Sequence, residues 1–423
     1  ALMKILHAAD LHLDSPLRGL ARYEGAPLER LRGATRVALQ NLVALAIEES
    51  VACVLIAGDV YDGDWRDYGT GLFFARQMAR LREASIPVVL IRGNHDAVSQ
   101  VSKSLRLPDN VRELSCDQPE TFRLESLGLA VHGQGFARRE VTEDLSSRYP
   151  APLRGLLNIG LLHTSADGRP GHESYAPCSV ASLQAKGYDY WALGHVHQRE
   201  VLLRDPWVVF PGNIQGRHIR EPGAKGCSLI HVEEGRVTAV EHRELDVLRW
   251  CELEVTVPES ATRDAALDAI EGPLRSQLDH AAGRLLAVRL RLRGATRAHP
   301  ALQSHLEQLV NDCRALFSQV GGDEAWLEQV RLETTLPGAE PEGDEFADAA
   351  ADLLRFVREA AHDGPLLKEL VEELAGLHAK LRSDLRDGPE PLDFSQGETV
   401  VGLLPDVEEL LRRKLATTRR QGG

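Results

Sequence analysis

At 423 residues, with 43% hydrophobic and 26% charged content, the chain is a folded polypeptide too long for one ordinary core, and two or three domains are expected. It has no apolar run of the roughly 18 residues that a membrane span requires, and its six cysteines form no C-x-x-C pair, which argues against a disulfide framework, a zinc ribbon and a thiol redox motif. The net charge of −14 argues against a uniformly basic nucleic-acid binder, but it is unevenly spread: residues 1–300 hold 36 Lys and Arg against 38 Asp and Glu, residues 301–423 hold 13 against 25. The acidity therefore belongs to the C-terminal part.

From Lys4 to about Leu245, short apolar runs alternate with helical stretches: "KILHAAD", "VACVLIAGD", "IPVVLIRGNHD", "LLNIGLLHT", "YDYWALGHVH" and "WVVFPGN". Between the first two, apolar residues three and four apart predict a helix over about 28–49. Strands alternating with helices predict an α/β layered sheet core flanked by helices, over residues 3–245.

Beyond residue 246 the pattern changes. "CELEVTV" (251–257) and "LLAVRLRL" (285–292) alternate with period two, residues 260–282 read as a helix, and 300–333 as one or two further helices. The expectation is a small α+β capping domain over 246–335 with one solvated sheet face, on which Arg289, Arg291 and Arg293 form a basic stripe or the wet side of an antiparallel sheet. "LPGAEPEGDE" (336–345) reads as a linker. Amphipathic helices are predicted at about 346–361, 365–386 and 405–416, with a breaker at 386–393, so that 346–423 forms a helical segment. Its leucines, among them Leu353, Leu366, Leu367 and Leu370, suit a partner helix or an internal bundle equally.

The ends of the predicted strands carry Asp10-Leu-His12, Gly58-Asp59-Val-Tyr-Asp62, Gly93-Asn94-His95-Asp96, His163 and Gly194-His195-Val-His197. Any one set alone reads equally well as a polar turn. Five together, delivered to one sheet edge, are not a pattern that a structural core generates. Imidazole with carboxylate suits manganese, iron or zinc, and a shared aspartate can bridge two such ions, about 3.5–4 Å apart, for in-line displacement at phosphorus.

In this order the motifs resemble the calcineurin-like metallophosphoesterase family, with its D-x-H, G-D-x-x-D, G-N-H-[DE], lone His and G-H-x-H pattern, across residues 10–197. The resemblance implies two divalent ions, expected to be manganese. Asp10, His12, Asp59 and His197 would hold one, and Asp59, Asn94, His163 and His195 the other. A coordinated water would be the nucleophile. His95 would be the catalytic non-ligand histidine facing the phosphate, with Asp96 fixing its tautomer. Asp62 either orients a ligand histidine or caps its loop with no catalytic task.

Within that family, "HAADLHLDSPL" (7–17) and "PGNIQGRH" (211–218) resemble the SbcD-type DNA repair exonucleases of the YhaO-like branch. Asp14 follows Leu13 where SbcD-like chains carry glycine. This resemblance implies a DNA exonuclease, possibly also an endonuclease, with an SbcC-type SMC-like ATPase as a separate partner chain, a homodimer, no membrane partner, and a cytoplasmic, nucleoid-associated location. Arg217, His218 and Arg220 are candidates for substrate phosphates, or alternatively a solvated loop. Two alternatives remain open: a phosphomonoesterase or cyclic-nucleotide phosphodiesterase on the same site, and a non-catalytic scaffold for the ATPase.

Overall fold

The computed structural model describes residues 2–15, 25–62, 68–98, 106–166 and 175–337, and parts of 353–411. Two compact units divide the chain, Ala1–Thr335 and Leu336–Gly423.

In the first unit the expected single sheet edge is made by two six-stranded sheets. One contains β1 (Leu2–Ala8), β2 (Cys53–Ile56), β3 (Val88–Leu90), β4 (Val111–Glu113), β11 (Gly226–Glu233) and β12 (Arg236–Glu244), in the order β12-β11-β1-β2-β3-β4. The other contains β5 (Glu120–Leu124), β6 (Leu129–Gly133), β7 (Leu157–His163), β8 (Tyr190–Gly194), β9 (Glu200–Arg204) and β10 (Trp207–Phe210), in the order β5-β6-β7-β8-β10-β9. The strands that carry the motifs run parallel within each sheet: β1 with β2, β2 with β3, and β7 with β8.

Strand alternation builds three apolar layers. Leu6, Val54 and Ile56 pack under helices α1 (Leu28–Glu48) and α2 (Tyr68–Glu83), against Leu39, Leu42, Phe74 and Met78. Ile5, Leu55 and Val89 face the other sheet and meet Val131, Ile159 and Leu161. Trp191, Tyr188 and Phe210 close the far side of the second sheet. Burial on both faces explains why these strands read as unbroken apolar runs, and it brings the C-terminal ends of β1–β3 opposite those of β7 and β8.

The third sheet joins β13 (Leu248–Thr256), β14 (Leu285–Ala295) and β15 (Ala325–Thr335). All three are parallel, not antiparallel, because helices α3 (Arg263–Ala281), α4 (His299–Ser304) and α5 (Leu306–Gly321) supply crossovers. The segment after 325, read from sequence as helix, is its last strand. Leu253, Val255, Val288 and Leu290 face the helices. On the opposite face Arg289 pairs with Glu328 at 2.6 Å, Arg291 with Glu333 at 2.7 Å and Arg293 with Glu254 at 2.5 Å. The arginine stripe is thus zipped by carboxylates. Nearer β13's start the same face packs Leu248, Trp250 and Ala287 on Leu31 and Ala34 of α1.

In the second unit, helix α6 (Gly364–His378) half-buries Leu366, Leu367 and Leu370. Linker residues 338–345, the breaker at 386–393 and the helix ends beyond 378 and 411 lie outside the described residues.

Candidate metal centre

Each motif glycine sits where a side chain has no room. A Cβ on Gly58, whose φ is +93°, would lie 2.6 Å from His163 Nδ1; on Gly93 it would overlap the Asp59 carboxylate, and on Gly194 the Ala57 carbonyl. The chain beyond the strands is also left-handed at Asp10, His12, Asp59 and His195, with φ of +53°, +41°, +52° and +103°. These turns aim the motif side chains into one buried cluster. Asp14 shares the conformation at φ +54°, one that suits the glycine of SbcD-like chains, and its carboxylate binds Arg36 at 2.5 Å and Thr70.

The hydrogen bonds around the cluster fix where its lone pairs point. His163 Nδ1 donates to the Ala57 carbonyl at 2.9 Å, so its Nε2 is the atom turned into the cluster, 2.9 Å from Asn94 Oδ1 and 3.5 Å from Asp59 Oδ2. His197 Nδ1 donates to Glu221 Oε1 at 2.7 Å, leaving its Nε2 3.1 Å from His12 Nε2 and 3.9 Å from Asp10 Oδ1. With the His12 proton on Nδ1, toward Asp62, acceptors face acceptors in a buried space. A cation resolves that conflict, and aspartate, histidine and asparagine donors suit divalent ions. Among the described residues the donors converge in three overlapping groups: Asp10, His12 and His197; Asp10, Asp59 and His163; and, toward the open side, His12, Asp62 and His95. The residues present therefore fit a two-metal centre. His195 is buried with its ring edge-on to His163 and Tyr175, and its backbone N–H donates to Asp10 at 3.0 Å.

His95 stands at the open side, its side chain 32% exposed. Its Nδ1 lies 2.8 Å from Asp62 Oδ1, which is also 3.6 Å from His12 Nδ1. Burial opposes its charge, but the Asp62 hydrogen bond and the Asp59 charge outweigh burial and push its pKa up to about 9; bound cations act in the opposite sense. The partner of His95 is therefore Asp62 and not Asp96. Asp96 accepts from the backbone N–H groups of Val60 (3.2 Å), Tyr61 (3.0 Å) and Gly93 (3.1 Å), tying the Asp59 turn to the Gly93 turn. Burial, then the Asp59 charge, raises its pKa.

Arg217 is neither a free phosphate contact nor a solvated loop residue. Its guanidinium is 13% exposed, 2.9 Å from Glu221 and 3.9 Å from Asp62. His218 and Arg220 are exposed. Two site residues escaped the sequence reading. Ser15 donates to Asp62 Oδ2 at 2.5 Å, and Glu221 takes the imidazole of His197. The R-x-x-x-E spacing of Arg217 and Glu221 was the available signal for the second.

Residues 3–199 match the calcineurin-like phosphoesterase family, and residues 250–335 match the middle domain of metallophosphoesterase YhaO. Fold and site together define a metal-dependent phosphoesterase, a hydrolase. Over 338 residues the chain is 35% identical to the uncharacterized metallophosphoesterase YhaO of Bacillus subtilis (strain 168), covering 78% of this chain and 81% of that one. The chain belongs to the calcineurin-like metallophosphoesterases, in the family of YhaO. It is also 26% identical to the DNA double-strand break repair protein Mre11 of Sulfurisphaera tokodaii over 262 residues, covering 58% of this chain and 63% of that one. Mre11 of Saccharolobus solfataricus is 27% identical over 212 residues, 48% of this chain and 52% of that one. Among the described residues no helix is long and apolar enough to cross a membrane.

Proposed function

We propose that this phosphoesterase is a manganese-dependent nuclease that hydrolyses DNA phosphodiesters in repair or end processing, in the cytoplasm on nucleoid DNA. The observation that carries the reading is the pairing of a buried set of facing acceptors with one partly exposed imidazole, His95, held by Asp62. DNA as substrate rests on the similarity to Mre11, a DNA double-strand break repair protein.

In this reading Asp10, His12, Asp59 and His197 would hold one ion and Asp59, Asn94, His163 and His195 the other, with Asp59 shared between them. The bound ions supply Lewis-acid activation of water and neutralise charge at phosphorus. His95, with Nδ1 committed to Asp62, uses Nε2 to hold a phosphoryl oxygen or deliver a proton to the leaving oxygen. Asp62 keeps that ring oriented, and Ser15 keeps Asp62 in place. Because the middle sheet's arginines are paired with glutamates, the exposed Arg220, with the imidazole of His218 beside it, is the proposed contact to flanking phosphates. Residues 246–335 cap and position DNA; residues 346–423, beyond the linker at 336–345, dock an SbcC-type SMC-like ATPase, and two copies work as a homodimer.

The test is cleavage of end-labelled linear duplex and single-stranded DNA with manganese, comparing wild type, Asp59→Ala and His95→Ala, beside a small chromogenic phosphodiester. Manganese-dependent DNA cleavage abolished in both variants is expected. Turnover of the small substrate with DNA intact would establish the small-molecule phosphodiesterase instead. A chain inactive on both, whose biological role survives His95→Ala, would be a scaffold.

A further inference from the structure

The loop 213–223 leaves the metal centre on one side and meets the three-stranded sheet on the other. On the first side, Glu221 accepts from His197 Nδ1 at 2.7 Å, Arg217 N at 2.8 Å and Asn213 Nδ2 at 3.0 Å. On the second, Trp250 Nε1 donates to the Gly216 carbonyl at 3.1 Å, and Gly223 N donates to the Trp250 carbonyl at 2.9 Å. Gln215 bridges to the same strand, accepting from Val247 N at 2.9 Å and donating to the Leu248 carbonyl at 2.6 Å. Gly216 is clamped between the two sides, since a Cβ there would lie 2.7 Å from the Glu221 carbonyl oxygen and 3.1 Å from the Trp250 ring. Trp250, Gln215 and Glu221 are all buried, so no water competes for these bonds.

We propose that Trp250 is a positioning residue of the metal centre, acting from the first strand of the middle sheet through Gly216 and Glu221 on the ligand His197. The middle domain then does more than cap: its seating sets the orientation and tautomer of one histidine of one ion site. The inference rests on the two-metal reading above and adds to it a selective effect. Loss of the Trp250 bond frees Gly216, lets Glu221 drift, and weakens the ion held by Asp10, His12 and His197. Asn94 and His163 lie against each other, and His163 bonds to the Ala57 carbonyl, outside this loop, so the ion they would hold keeps its affinity.

The test uses the full chain and manganese alone as the probe, counting bound ions by electron paramagnetic resonance in wild type, Trp250→Phe, Glu221→Gln and Trp326→Phe. Trp326 packs edge-on to Trp250 at 5.9 Å in the same apolar cluster, so its variant reports general damage to that cluster. The expected result is two ions in wild type. Glu221→Gln weakens one of them about 10- to 100-fold. Trp250→Phe weakens that same ion about three- to tenfold, the two losses fail to add in the double variant, and Trp326→Phe changes neither ion. Unchanged affinity in Trp250→Phe, or equal weakening of both ions in Trp250→Phe and Trp326→Phe, overturns the role of Trp250 while leaving the metal reading standing. A wild type that binds no manganese overturns both.

Discussion

Gly93→Ala is the sharpest perturbation of the centre that adds a single carbon. The new Cβ would overlap Asp59 Oδ1 and lie 2.8 Å from the Asp59 backbone nitrogen. The backbone there cannot retreat, because Gly93 N is bonded to Asp96 at 3.1 Å and Asp59 follows a glycine already at φ +93°. The carboxylate must move instead, by on the order of 1 Å to restore van der Waals contact, and it loses the bond from His95 N, 3.0 Å long, that holds it. A misplacement of that size costs about 100-fold in rate, and overpacking a rigid site costs about 1–3 kcal/mol of stability. Both ions weaken, since Asp59 is the proposed bridge. Manganese titration and thermal unfolding of the variant read the two effects separately. Gly33→Ala is the control, for its Cβ meets nothing within 4 Å on helix α1, and it should add about 0.5–1 kcal/mol. Gly93→Ala binding two ions with wild-type affinity would refute the argument that this glycine exists to make room for the bridge.

Further expectations concern pH, metal removal and His95. His7 is buried, with Nε2 on the Leu193 carbonyl at 3.1 Å and Nδ1 on Tyr190 at 3.0 Å, and burial lowers its pKa from 6.5 to about 3. Its contribution to stability is therefore complete above pH 6.5 and is lost as pH falls from 6.5 through 3, by about 2 kcal/mol at pH 5; urea unfolding of wild type and His7→Gln at pH 7 and pH 5 should show that increment only in wild type. Chelation should lower the melting temperature, and manganese at a hundred times its dissociation constant should restore about 2.7 kcal/mol for each ion bound; a melting curve indifferent to both would contradict a buried centre of facing acceptors. His95→Gln should abolish turnover while keeping both ions and the fold, as judged by manganese titration and circular dichroism.

The motif residues were legible because each follows an apolar run buried on both faces, so Asp10, Asp59, Asn94, His163 and His195 could be placed at strand ends before any coordinates. That the runs belong to two sheets was not legible, since an unbroken apolar strand does not say which neighbour covers it. Strands β5 and β12 are only half-buried and left no comparable run. Residues 325–335, "AWLEQVRLETT", carry leucine, glutamate and glutamine at helix-like spacing, and pairing with β14 overrides that preference. Asp96 was misread for a different reason. The family resemblance implied contact with the His95 ring, whereas helical geometry turns neighbouring side chains apart and sends Asp96 into the backbone of the Asp59 turn. Glu221 lies 24 residues from the histidine it holds, so only the folded loop joins them.

The left-handed residues also bear on how the centre forms. Asp10, His12, Asp59 and His195 each hold a conformation that costs about 1–2 kcal/mol for a residue with a side chain. The bonds that offset this cost are made by the same residues within the protein. Asp10 accepts from His195 N at 3.0 Å, Asp59 from His95 N at 3.0 Å, and His12 N donates to the Asp59 carbonyl at 3.0 Å. Each aspartate thus fixes the turn that carries a neighbouring histidine, across sheets in one case and between adjacent strands in the other. The donors are set by the fold itself, which leaves little ordering for an ion to impose on binding. It follows that the backbone of these turns should be the same with and without metal, and that a variant such as Asp10→Asn, which keeps the acceptor but removes the charge, should preserve the turn while weakening the ion.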